Sequence, residues 1–159
     1  MSTVKKTNAM RLLDAAKVTY SVRTYDFDDS ALSGVHAAEA LGMPPETVFK
    51  TLVARGDKTG FVVFCIPVAE ELDLKKAAKV SGNKAVEMLH VKELLPTTGY
   101  IRGGCSPVGM KKQYPTYIDE SAKSLDKIYV SAGKRGGQIY INPQDLCDFV
   151  GARFIPLVK

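Results

Sequence analysis

Apolar positions along this chain follow two different periods, and the change from one to the other marks its elements. Ala9, Leu12, Leu13 and Ala16 recur at helical spacing on one face behind Thr7, a residue suited to capping, which predicts a helix over residues 7–16. Residues 18–25 largely alternate apolar and polar side chains instead, the pattern of a strand with one face on a core. Residues 26–33 are acidic and polar and read as a loop. Ser33 then caps a short helix over 35–41 that stops at Gly42, ahead of Pro44 and Pro45. Two apolar runs, 48–54 and 61–67, flank the loop 55–60 and predict a central β-hairpin.

The second half is more broken. Leu74, Ala77 and Ala78 with paired lysines predict an amphipathic helix over 72–80 ended by Ser81 and Gly82, followed by a short strand over 85–88 and a single helical turn over 91–95. Short strands are predicted over 116–118, 128–131 and 138–141, with a helical turn near Ser121. Asn142 as cap and Pro143 at the first helical position announce a last helix to about Val150, and residues 154–158 close as a strand. Strands outnumber long helices and their spacing is too uneven for an internal repeat. The fold class expected is α+β, a curved mixed sheet flanked by helices.

At 159 residues and 45% hydrophobic, the chain suits one domain, 1–159, with a core that needs no crosslinks. Lys plus Arg number 22 against 17 acidic residues, a net charge of +5, which favours an anionic partner without requiring one. Cys65, Cys105 and Cys147 are far apart and show no metal-ligand spacing, so reduced thiols are expected and no metal or cofactor site. Residues 1–6 are polar and basic with no apolar stretch behind them, and no run approaches a membrane span. A soluble, cytoplasmic protein is expected.

Two glycine-rich loops carry most of the candidate chemistry. Residues 98–112 combine Gly99, Gly103, Gly104 and Gly109 with Arg102, Lys111 and Lys112, and residues 131–137 combine Gly133, Gly136 and Gly137 with Lys134 and Arg135. Glycines free the backbone to present N–H groups, and the cations attract phosphate or carboxylate. Gly103 and Gly104 are either oxyanion donors or a crossover needed for close packing. The cations form either a phosphate-contacting rim or scattered surface charge. The phosphate-loop pattern G-x-x-x-x-G-K-[ST] is absent, which argues against nucleotide hydrolysis. Lys50 shares a predicted strand face with Val48 and Leu52, so it is either aimed into a cleft or solvated at a sheet edge. Cys105 fits a buried core thiol better than a nucleophile. Neither His36 nor His90 belongs to a visible triad or metal set. Ser131 at a strand end can orient a substrate amine or bond its own backbone, and Tyr25 can wall a pocket or pack in the core.

Five ordered segments carry a resemblance: 7–9 (Thr-Asn-Ala), 48–52 (Val-Phe-Lys-Thr-Leu), 72–78, 98–109 and 131–136. With them the chain closely resembles the YbaK/EbsC family of aminoacyl-tRNA deacylases, which is related to the editing insertion of bacterial prolyl-tRNA synthetases. The resemblance implies a compact α+β domain, no cofactor, and hydrolysis of mischarged aminoacyl-tRNA, with cysteine on proline tRNA as the leading substrate. It places Lys50 on the family's characteristic lysine and residues 103–107 on its G-x-x-x-P loop, so that Lys50 contacts a phosphate or carbonyl and amides at Gly103, Gly104 and Cys105 stabilise the oxyanion. The substrate's own thiol, or a bound water for other amino acids, attacks. The substrate-binding set implied is Tyr25, Thr51, Arg102, Ser106, Pro107, Ser131, Lys134, Arg135 and Gln138. Ser33 stands where some members have an aromatic residue and Gln138 where they have an aspartate, departures that bear on amino-acid specificity. The partners implied are the acceptor end of a mischarged tRNA and prolyl-tRNA synthetase. A non-catalytic tRNA- or nucleotide-binding module is the competing class.

Overall fold

The computed structural model describes residues 6–27 and 33–159; residues 1–5 and the acidic stretch 28–32 lie outside them. Local signals set most of the elements. Thr7 caps α1 (Asn8–Ala15) by accepting from the Met10 amide, and α1 turns Ala9, Met10 and Leu13 inward. β1 (Tyr20–Thr24) follows, then α2 (Gly34–Leu41), capped by Ser33 and ended by Gly42 at φ 69°. β2 (Phe49–Gly56) and β3 (Gly60–Pro67) pair along their whole length, down to Gly56 opposite Gly60, so the hairpin loop is shorter than the predicted 55–60. Asn83 tightens it, accepting on Oδ1 from the Lys58 and Thr59 amides at 2.8 and 3.0 Å.

α3 (Leu74–Ser81) starts later than the periodicity predicts, because Asp73 takes the cap and accepts from the Lys75 and Lys76 amides. Leu72 is thereby released to bridge Val158. After β4 (Val86–Met88) comes α4 (Val91–Thr98), longer than the single predicted turn. Pro96 lies inside it without ending it, and the helix closes where the Gly99 amide donates to Leu95 at 2.8 Å. β5 (Thr116–Asp119), a 3-10 turn (Glu120–Ser124), β6 (Ile128–Ser131), β7 (Gly137–Ile141) and α5 (Pro143–Val150) fall close to expectation. β8 is only Arg153–Ile155, not 154–158, since Pro156 has no N–H to continue the ladder.

The strands form two sheets. One has three strands in the order β1-β7-β6, all antiparallel; the other has five in the order β4-β2-β3-β5-β8, with parallel pairing at β3-β5 and β5-β8. A single parallel bridge, Val48 to Tyr129, joins them where β2 begins and β6 runs past. The curved mixed sheet of the sequence reading therefore has a seam. The largest core cluster sits under the three-stranded sheet, with Met10, Leu13, Leu146 and Val150 of α1 and α5 against Ile128, Val130, Ile139 and Ile141. A second cluster packs α3 against Phe64, Ile66 and Leu157, and a third holds the seam with Ala38, Leu41, Val48, Val68 and Tyr129. All three cysteines are buried and unpaired. Among the described residues no helix is long and apolar enough to cross a membrane, and no group of His, Cys, Asp and Glu could hold a metal.

Candidate functional site

A cavity of about 380 Å³ opens along the seam between the two sheets. Its floor is β2, the second of the five strands, where Lys50, Thr51 and Leu52 line it. One wall comes from the three-stranded sheet: Ser131 ends β6, Gln138 stands opposite it on β7, and Tyr25 follows β1. Tyr25 is held there because its amide donates to the Gly136 carbonyl at 3.0 Å. Arg102, Gly103 and Cys105 of the first glycine-rich loop close the same side, and Ser33 reaches the cavity from the α2 cap. The opposite wall is apolar, made by Met88 and Leu89 with Val91 and Leu94 of α4.

Lys50 is half-buried, and that burial pulls its ammonium below the ordinary lysine range, while Glu71 and Glu70 nearby hold it partly up. Cys105 is buried, and desolvation pushes its thiol up to about 12. Such a thiol is not an activated nucleophile, in agreement with the expectation of a core cysteine. Neither histidine lines this cavity. Ser131 has its hydroxyl oxygen bonded from the Gly133 amide at 3.2 Å, which leaves the hydroxyl proton to donate. Gln138 is only 6% exposed, and its Oε1 has no hydrogen-bond partner.

The expected set is divided by the structure. Lys50, Gly103, Cys105, Tyr25, Thr51, Arg102, Ser131 and Gln138 surround the cavity. Gly104 does not, and it cannot donate to an oxyanion, because its amide already donates to the Ile101 carbonyl at 2.9 Å. Its role is the close packing that was the alternative reading: a Cβ there would stand 3.1 Å from the Lys134 backbone. Ser106 is fully buried with its oxygen accepting from the Val108 amide, and Pro107 is buried in the same turn, so both shape the loop rather than line the cavity. Lys134 packs its backbone behind Gly104 and its stem toward Gly137. Arg135 donates from Nε to the Arg102 carbonyl at 2.9 Å and borders a smaller adjoining pocket with Tyr25 and Gly103. Among the described residues, the Gly103 and Cys105 amides have no hydrogen-bond acceptor, so they are the loop's available donors. The apolar wall was missed in the sequence; its signal was Val91 and Leu95, left 61% and 51% exposed on a helix whose only buried residue is Thr98.

Residues 30–149 match the aminoacyl-tRNA editing domain family. The chain belongs to that family. Aminoacyl-tRNA deacylation, the activity implied by the resemblance, is the activity of this chain. A relative from Enterococcus faecalis, assigned as the Cys-tRNA(Pro)/Cys-tRNA(Cys) deacylase EbsC, is 53% identical over 96% of this chain and 93% of its own length. A proline–tRNA ligase of Shouchella clausii is 33% identical over 67% of this chain, which corresponds to 18% of the ligase. Among solved structures, one titled as a trans-editing enzyme for prolyl-tRNA synthetase superposes with a TM-score of 0.82 at 25% identity, covering 99% of both chains.

Proposed function

We propose that the protein is a free-standing editor, one domain over residues 1–159, that acts in the cytoplasm to release cysteine wrongly attached to proline tRNA. The observation that carries this reading is a cavity with donors and, among the described residues, no activated nucleophile. Lys50, Gly103 and Cys105 line one space, whereas the Cys105 thiol is held protonated and neither histidine lines it. The name of the Enterococcus relative and the ligase similarity support the choice of substrate and of prolyl-tRNA synthetase as partner.

On this reading the acceptor end enters from the basic rim, with Arg102, Lys134 and Arg135 near its phosphates. Lys50 contacts the terminal phosphate or the ester carbonyl. The substrate's thiol sulfur attacks its own carbonyl carbon, and the loop amides hold the negative oxygen that forms. As the intermediate collapses, the bond from the carbonyl carbon to the ribose oxygen breaks, the thiol proton passes to that oxygen, and a β-thiolactone leaves for hydrolysis by water. The protein supplies position and electrostatics, not a covalent partner.

Single-turnover deacylation of cysteinyl, alanyl and prolyl esters on proline tRNA, with Lys50→Ala beside the native chain, tests the proposal. Rapid loss of cysteine alone, abolished in Lys50→Ala, is the expected result. Release of alanine at the same rate would replace thiol attack by water. Tight, salt-sensitive tRNA binding with no release of any amino acid would favour the binding-module reading.

A further inference from the structure

Gln138 carries a feature that deacylation as described does not use. It is nine-tenths buried in the cavity wall, yet its Oε1 has no partner. Both neighbours directly across the ladder hold donors. Arg23 on β1 gives its guanidinium to the Tyr129 hydroxyl at 3.2 Å, and Ser131 on β6 keeps its oxygen for the Gly133 amide. Neither satisfies Oε1. A buried acceptor without a donor is costly, so one held at a cavity wall is completed by whatever enters.

The remaining polar groups of the cavity say which part of the ligand that is. Lys50 and the loop amides are donors, matched to acceptors such as an ester carbonyl and a phosphate. An acceptor on the same wall as the loop amides needs a donor on the ligand, and in an aminoacyl ester the donor two bonds from the carbonyl carbon is the α-amino group. Charge does not do the reading. Among the described residues the cavity is lined by Lys50 and Arg102 and by no carboxylate, and Glu70 and Glu71 stand outside the lining near Lys50.

We propose that Gln138, through its neutral side-chain amide, is the residue that recognises the free α-amino group of the aminoacyl ester, so that this cavity selects α-amino esters over their desamino counterparts by a hydrogen bond and not by an ion pair. The inference rests on the deacylase reading and adds a specificity-determining residue to it.

The test measures kcat/KM for tRNA carrying cysteine or 3-mercaptopropionate, and alanine or propionate, with the native chain, Gln138→Leu and Gln138→Glu. Gln138→Leu is expected to lose about tenfold on the amino esters and less than about twofold on the desamino esters. Gln138→Glu, which keeps an acceptor at the same reach, is expected to retain the preference for the amine. Equal losses on both members of a pair would show a packing role and overturn the proposal, as would undiminished turnover of the amino esters by Gln138→Leu. Whether cysteine or alanine is released decides the proposed substrate. The ratio within each pair decides the role of Gln138, so either can fail alone.

Discussion

The two glycine-rich loops have nearly the same composition and do opposite things. The loop over residues 98–112 turns Arg102, Gly103 and Cys105 into the cavity, with the Gly103 and Cys105 amides free of other acceptors. The loop over 131–137 supports it from behind. The Lys134 backbone lies where a Cβ on Gly104 would have to go, Arg135 grips the Arg102 carbonyl, and the Gly136 carbonyl anchors Tyr25. Glycine plus cation is therefore a signal of close backbone approach or of open backbone amides, and the first loop leaves its amides at a cavity while the second packs against the first.

The comparison can be broken most sharply at the contact itself. Gly104→Ala is expected to push the loops apart by a few tenths of an ångström against backbone, not a flexible side chain. Misplaced donors of this kind cost about 100-fold in rate, so single-turnover deacylation is expected to fall by that order while the fold persists. A rate within twofold of native would mean that the supporting loop does not set the donors. The next effect separates fixed dipoles from a titrating charge. Loop amides do not ionise, whereas Lys50, lowered by burial, is charged below its depressed pKa and neutral above it. After subtraction of spontaneous hydrolysis, kcat/KM is expected to fall about tenfold per pH unit above that pKa, at lower pH than for an ordinary lysine. Lys50→Arg, which stays charged, removes this alkaline fall if it retains activity; the same fall in that variant would assign it elsewhere.

Smaller effects belong to the supporting loop and to the thiol. Gly133 has φ 97°, and a Cβ there would stand 2.9 Å from the Tyr100 ring. Gly133→Ala is expected to lower stability by about 1–3 kcal/mol in chemical denaturation, with less than about a tenfold change in turnover. Loss of activity exceeding that of Gly104→Ala would reverse the roles given to the loops. Cys105→Ser keeps the backbone amide and removes a thiol that burial leaves protonated. Its turnover is expected within about twofold of native, set by one modest change in packing; a collapse of activity would make the thiol itself a participant.

Much of this was readable from the chain because the signals are local. Thr7, Ser33 and Asn142 cap the helices they announce, and the hairpin expected from two apolar runs pairs along its whole length. Lys50 stood out as a charge among apolar strand neighbours, and it faces the cavity. What was not readable depends on distant partners. The commitment of the Gly104 amide to Ile101, and the backing of Gly104 by Lys134, require the β6–β7 turn to be brought against a loop about 30 residues earlier. The orphaned Gln138 oxygen is likewise defined by what Arg23 and Ser131 do instead. Two prolines mark where the element bounds differ from expectation: Pro96 is tolerated within α4, and β8 stops just before Pro156.

The pairing of β1 with β7 has a consequence for the life of the chain. Tyr20 lies opposite Ile141, so β1 waits for a strand made about 120 residues later before the wall that holds Tyr25 and Gln138 exists. A polypeptide still emerging from the ribosome has its lysine and its first glycine-rich loop long before it has a complete cavity. An enzyme that corrects errors of translation thus has no complete site of its own until residues 137–141 have left the ribosome.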